Sequence, residues 1–307
     1  MEHWKNQWKE LLPKNAAEVI ARLDDDAPLL EIRLRADAPM ELVFDRSDRI
    51  VYGNNGMPMI AEEDLRQLTA RLMEYSAYAW ENERRDGFVT VGGCRVGLSG
   101  RMVRTDGSVL GFSKVSGVCI RIVREVTDCA VPLLPFLSDD GLLLPTLLIS
   151  PPGHGKTTIL RDLIRIVSSG LFGMHGARVG VADERFELSG DTTGRTAFDL
   201  GVRTDVISGI SKADAMVRIV STLSPEVLAM DELNDARDAD ALLDARGKGV
   251  TVLATAHGAC LKDLFLRPPI RMLLEAHVFD RIASLSRIGR LKSVVDAEGK
   301  PVDSGSA

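Results

Sequence analysis

The sequence predicts an α/β protein with a mainly parallel sheet covered by helices on both faces, preceded by a smaller α+β N-terminal domain. Three observations carry this. Four short apolar runs at 146–149, 179–182, 227–230 and 250–254 have strand length and no polar face, the pattern of strands buried on both sides. They alternate with stretches of helical periodicity, the signature of β-α-β crossovers. A glycine-rich phosphate-loop sequence joins the first run to the first of these helices.

The N-terminal residues 1–9 are polar and hold no apolar signal core. Residues 64–80 place Leu65, Leu68, Leu72, Tyr75 and Ala79 on one helical face. Residues 88–98 are rich in glycine and valine, Asp106-Gly107 reads as a hairpin turn, and 118–123 reads as a strand. Residues 1–130 are therefore expected to form an α+β domain without reaction chemistry, used for partner or oligomer contacts. Residues 131–145 carry Pro132, Pro135, Pro145 and an Asp-Asp-Gly turn, and are expected to be a linker. The nucleotide-binding domain spans 146–295. Its helix at 157–168 aligns Ile159, Leu160, Leu163, Ile164 and Val167, with Gly170 placed to end it. Further helices are expected at 213–223 and 236–246. Residues 296–307, rich in glycine, serine and aspartate, are expected to be a flexible tail.

Composition limits the function classes. The chain has 307 residues, 45% of them hydrophobic and 27% charged, with a net charge of −6. This acidic balance and the 5% of aromatic residues argue against a dedicated nucleic-acid binder. The four cysteines lack metal-knuckle or redox spacing, which fits a reducing, cytoplasmic compartment. The most apolar stretch, 141–149, is too short to cross a bilayer. The sequence thus reads as a soluble protein able to dock on a membrane protein.

The chemistry begins at Ser150, Pro151, Pro152, Gly153, His154, Gly155, Lys156, Thr157 and Thr158. Backbone N–H groups here can wrap the β-phosphate of ATP at a helix N-terminus whose dipole favours anions. Lys156 brings a charge to the β- and γ-phosphates, and the Thr157 hydroxyl is suited to Mg²⁺. Ser150 stands where the usual pattern has glycine, and its Cβ restricts the first bend. The strand at 227–230 ends in Asp231 and Glu232. Asp231 is placed to hold Mg²⁺ and Glu232 to orient the attacking water. His257, after the next strand, either senses the γ-phosphate or satisfies loop backbone. Asp183-Glu184-Arg185 ends another strand and either faces the nucleotide or forms a surface charge cluster. Glu184 is the alternative water-positioning acid. Arg195, Arg203 and Arg218 are candidates for an arginine supplied across a subunit boundary.

These motifs carry a resemblance. The phosphate loop, Leu160-Arg161-Asp162-Leu163, Asp183-Glu184-Arg185, Val202-Arg203-Thr204-Asp205-Val206 and Thr255-Ala256-His257-Gly258 resemble the stage III sporulation protein AA family. So do Glu31-Ile32-Arg33-Leu34-Arg35, Gly92-Gly93-x-Arg95-Val96-Gly97 and Ile120-Arg121-Ile122, so the resemblance spans about residues 25–295. The Ser-Pro-Pro start of the loop is similar to the family's own pattern. Leu233-Asn234 departs from it, since the family usually has Ile-Gly after the two acids. The resemblance implies a RecA-like P-loop core related to type II and type IV secretion ATPases, with ATP and Mg²⁺ as cofactors. It also implies a homo-oligomer, a hexameric ring, docked on an integral membrane protein of a secretion-like channel between mother cell and forespore. Two other classes share these motifs: an assembly scaffold or switch with little turnover, and a nucleic-acid translocase using Arg33, Arg35, Arg84, Arg85, Arg101 and Arg104.

Overall fold

The computed structural model describes residues 3–24, 29–44, 47–53, 59–75, 87–91, 94–105, 108–122, 125–190, 196–286 and 290–303. The chain divides into two compact units, 1–125 with 190–197, and 126–189 with 198–307.

The first unit is an antiparallel sheet with helices. Its elements are α1 (His3–Leu11), α2 (Lys14–Ala21), β1 (Leu29–Arg35), β2 (Met40–Phe44), β3 (Asp48–Val51), α3 (Glu62–Tyr75), β4 (Phe88–Val91), β5 (Cys94–Thr105) and β6 (Ser108–Arg121). The strand order is β3-β2-β1-β6-β5-β4. Strand alternation buries Ile32 and Leu34 of β1 with Leu65, Leu68 and Leu72 of α3. The opposite face of β1 carries Glu31, Arg33 and Arg35, held in ion pairs with one another or with Glu41. The expected helix at 64–80 begins slightly earlier and is described to Tyr75; residues 76–80 lie outside the described residues, as do Arg84 and Arg85. Asp106-Gly107 also lies outside them, but β5 and β6 pair antiparallel on either side, Thr105 opposite Ser108.

In the second unit the elements are β7 (Thr146–Ser150), α4 (Lys156–Ser169), β8 (Val179–Asp183), β9 (Thr204–Ser208), α5 (Lys212–Thr222), β10 (Val227–Met230), α6 (Ala236–Gly247), β11 (Thr251–His257), α7 (Leu261–Phe265), α8 (Pro268–Glu275), β12 (Arg281–Leu285) and β13 (Leu291–Asp296). They form a sheet of order β9-β8-β10-β11-β7-β12-β13. All its pairings are parallel except β12 with β13. Alternate residues enter opposite cores. Leu148, Val181, Ala229 and Leu253 pack on the side of α4, with Ile159, Leu160, Leu163 and Ile164. Ile149, Leu228, Met230 and Ala254 pack on the side of α5, α6 and α8. Gly180 allows the α5 face to close, because a Cβ there would lie 2.2 Å from Ile219 Cγ2.

Two expectations need correction. Residues 131–145 are not a loose connector. Val131–Leu133 and Leu134–Leu137 are short helical turns with proline in their first positions, where a missing N–H costs nothing. Leu133, Leu134, Leu137 and Leu143 are buried in the α4-side core. The tail is likewise tied down through Val302: Pro301 bridges to Val295, and the Val302 N–H reaches Val294 O at 3.0 Å.

Candidate functional site

β7 delivers the chain to the phosphate loop at its C-terminal edge, where Ser150 pairs with His257 of the neighbouring β11. Gly153 and Gly155 take φ of 74° and 84°, the left-handed bends that let the loop fold back on the start of α4. Ser150 is extended, so its Cβ is tolerated, and its hydroxyl donates to Pro151 O at 2.9 Å. Pro152 and Gly153 are exposed, while Thr158 is half-buried in the first turn of α4. His154 Nδ1 is buried without a hydrogen-bond partner among the described residues, an unsatisfied polar atom inside the loop.

Lys156 is 6% exposed. Its ammonium donates to Ser150 O at 2.9 Å and to Pro151 O at 3.2 Å, and lies 2.9 Å from His257 Nδ1. Burial lowers its pKa, an effect partly opposed by the negative charges of Asp231 and Glu232. In the tautomer with its proton on Nε2, the Nδ1 atom accepts from the ammonium. Nε2 then faces Glu232 Oε1 at 3.3 Å. His257 therefore links the loop lysine to the strand-end acid.

The Thr157 hydroxyl donates to Asp231 Oδ2 at 2.6 Å. The Thr255 hydroxyl donates to Asp231 Oδ1 and accepts the Glu232 N–H at 2.9 Å. A threonine hydroxyl beside a carboxylate is a hard-oxygen set of the kind Mg²⁺ takes with phosphate oxygens and water, so these residues fit that cation. Glu232 has φ of 57°, uncommon for a residue with a Cβ. Burial raises its pKa, but the Asn234 side chain, His257, Arg185 and Lys212 together lower it below the ordinary value. Glu232 is thus held as a carboxylate. The departure Leu233-Asn234 is accommodated: Leu233 is fully buried with its N–H on Thr255 O at 2.8 Å, and Asn234 hydrogen-bonds Glu232.

In the turn after β8 the three residues Asp183, Glu184 and Arg185 take different surroundings. Asp183 is 3% exposed and turned inward, accepting the N–H groups of Glu187, Leu188 and Ser189 and the Ser189 hydroxyl. Burial raises its pKa and these donors oppose the rise. Glu184 is exposed, lining the same hollow as Asp231 and Glu232. Arg185 reaches Glu232 Oε2 at 4.0 Å. Glu187 is the acid the motif reading missed. Its side chain is exposed on the hollow that Asp231 also lines, and partial desolvation of the carboxyl together with the charge of Asp231 raises its pKa. The available signal was its place at the end of the turn that Asp183 organises. Among the arginines proposed to act across a subunit boundary, Arg203 donates to Ser168 O at 2.8 Å, Arg218 is exposed on α5, and Arg195 lies outside the described residues.

The chain is similar to known proteins in sequence and in fold. The chain matches the family described as sporulation stage III, protein AA over residues 2–302. It is 37% identical over 300 residues to stage III sporulation protein AA of Bacillus subtilis (strain 168), covering 96% of each chain. Among solved structures it resembles the Legionella pneumophila ATPase DotB, with TM-score 0.54 and 12% identity over 90% of this chain and 75% of that one. It also resembles the pilus retraction motor PilT with bound ADP, with TM-score 0.56 and 17% identity over 84% of this chain and 74% of that one. The structural likenesses show the fold, a mostly parallel sheet with helices on both faces, and the sequence match shows the lineage: the chain belongs to the sporulation stage III protein AA family.

Proposed function

We propose that this protein is an Mg²⁺-dependent ATPase, working as a ring of its own copies on a membrane-embedded channel apparatus during sporulation. The observation that carries the reading is the 2.6 Å contact between the Thr157 hydroxyl of the phosphate loop and Asp231 at the end of β10. A glycine-rich turn without a nucleotide has no need of an acid brought from 74 residues away. In the proposed mechanism the loop N–H groups and Lys156 bind the β- and γ-phosphates. Thr157 and Asp231 would hold Mg²⁺, which would supply positive charge to the phosphate oxygens. Glu232, kept ionised, orients the attacking water. His257 passes the arrival of a γ-phosphate at Lys156 on to Glu232. The name of the Bacillus subtilis relative supports the sporulation setting, and the fold shared with DotB and PilT supports a ring, a hexamer, acting on a membrane complex. Among the described residues no helix is long and apolar enough to cross a membrane, so peripheral attachment through a membrane protein is the proposed arrangement.

Lys156→Ala removes the cation of the phosphate loop. Binding of a fluorescent ATP analogue and release of phosphate should both be lost, and undiminished hydrolysis would overturn the assignment of the loop.

A further inference from the structure

Lys212 opens α5 and belongs to none of the motifs that announce the site. Its side chain is only 12% exposed, and Nζ lies 3.4 Å from Asp238 Oδ2, a carboxylate that is itself 3% exposed. Nζ also donates to the main-chain carbonyl of Glu232 at 2.5 Å. Lodging a long cation in this way removes side-chain freedom and hydration, and the contact it gains is with the backbone of the strained residue. Glu232 sits at φ 57°, a conformation that costs a non-glycine residue about 1 kcal/mol or more. Both of its main-chain polar groups are gripped by side chains: the N–H by Thr255 of β11, the carbonyl by Lys212 of α5. Asp238, on α6, faces the ammonium as an ion pair at 3.4 Å, without a hydrogen bond to Oδ2 among the described residues.

We propose that Lys212 is a positioning residue, its ammonium clamping the Glu232 carbonyl so that the left-handed turn holds and the carboxylate stays against His257. The proposal rests on the reading of Glu232 as the water-orienting acid. The ammonium acts through Glu232, since the protein already engages it from two sides.

The test compares full-length wild type, Lys212→Met and Lys212→Arg. Lys212→Met keeps the aliphatic stem and removes the donor. It should lower kcat about 10²-fold, the scale of a misplaced reacting group, with KM and affinity for a fluorescent ATP analogue nearly unchanged. Lys212→Arg should recover part of kcat. Amide hydrogen exchange at Glu232 and Leu233 should accelerate about tenfold in Lys212→Met, the worth of one lost hydrogen bond. If the unpaired Asp238 prevents folding, Lys212→Met combined with Asp238→Asn removes both charges and is measured instead. Wild-type turnover with wild-type exchange overturns the clamp. Lost affinity at unchanged kcat also overturns it, and makes Lys212 a nucleotide contact. If wild type itself does not hydrolyse ATP, the ATPase reading fails separately, and the exchange at Glu232 and Leu233 alone decides the clamp.

Discussion

Thr255 is fully buried between the two acids, donating to Asp231 and accepting from the Glu232 N–H. Valine has nearly its shape and neither capacity. Thr255→Val should therefore strand a donor and an acceptor at once, costing about 1–3 kcal/mol, read as a lower midpoint in urea. Its Mg²⁺ requirement for ATP binding should also rise, and an unchanged midpoint would remove the bridge from the account. Glu232→Gln tests a different property of the same corner. The amide keeps the size of the side chain and loses the charge proposed to orient water. Lys156, Thr157 and Asp231 remain, so ATP and Mg²⁺ should still bind while single-turnover hydrolysis falls by about 10²–10⁴-fold. Hydrolysis at the wild-type rate would exclude Glu232 and direct attention to Glu184 and Glu187 in the adjoining turn. The sign of the pH dependence follows from the lowered pKa of Glu232. This group remains ionised from neutral pH down through the ordinary carboxylate range, and its contribution is lost only as pH falls through its depressed value.

At the scale of elements, α4 does more than present Lys156 and Thr157. Asp162, on its buried side, accepts the Asp128 N–H at 3.1 Å and the Ala130 N–H at 2.8 Å. It also takes both Nε and a terminal nitrogen of Arg165, which in turn pairs with Asp128 at 2.6 Å. The segment 125–130 is thereby clasped to the helix that follows the phosphate loop. Asp162→Ala leaves two N–H groups and a partly buried guanidinium short of partners, and should cost about 3 kcal/mol. A thermal melt checks this, and a loss within 0.5 kcal/mol, the ordinary scale of a surface substitution, would mean that the clasp is incidental. The same region explains why a linker was expected at 131–145. Three prolines and an Asp-Asp-Gly turn are local signals for loop. The burial of Leu133, Leu134 and Leu137 against α4 is a long-range contact that no window of sequence displays.

For the whole molecule, each unit has its own apolar core. A fragment meant to isolate nucleotide binding should begin before Val126, because a start near Gly141 would remove Ala130, Leu133, Leu134 and Leu137 from the core of the second unit. Such a fragment is expected to bind MgATP and, on the proposal that the first unit supplies partner and oligomer contacts, to fail in ring assembly. Mass photometry of full chain and fragment, with and without ATP, checks this; equal assembly of the two would assign the ring contacts to the second unit alone. Glu232→Gln in the full chain should prolong the ATP-bound ring, since the state that hydrolysis ends would persist.

The phosphate-loop motif and the alternation of buried strands with helices are legible in the residues alone. Loop function depends on neighbours along the chain, from Ser150 to Thr158, and strand burial on a pattern a few residues long. Which distant side chains meet depends on how the strands are ordered in space. Strand order sets β7 beside β11, and so brings His257 to Lys156 across 101 residues. The same order carries Asp231 to Thr157 across 74 residues and Lys212 to the Glu232 carbonyl across 20. Periodicity shows that a strand is buried and not which strand lies next to it. Strand neighbours are chosen by the summed packing of both faces of the sheet, and those neighbours assembled the acids, the histidine and the lysines into one site.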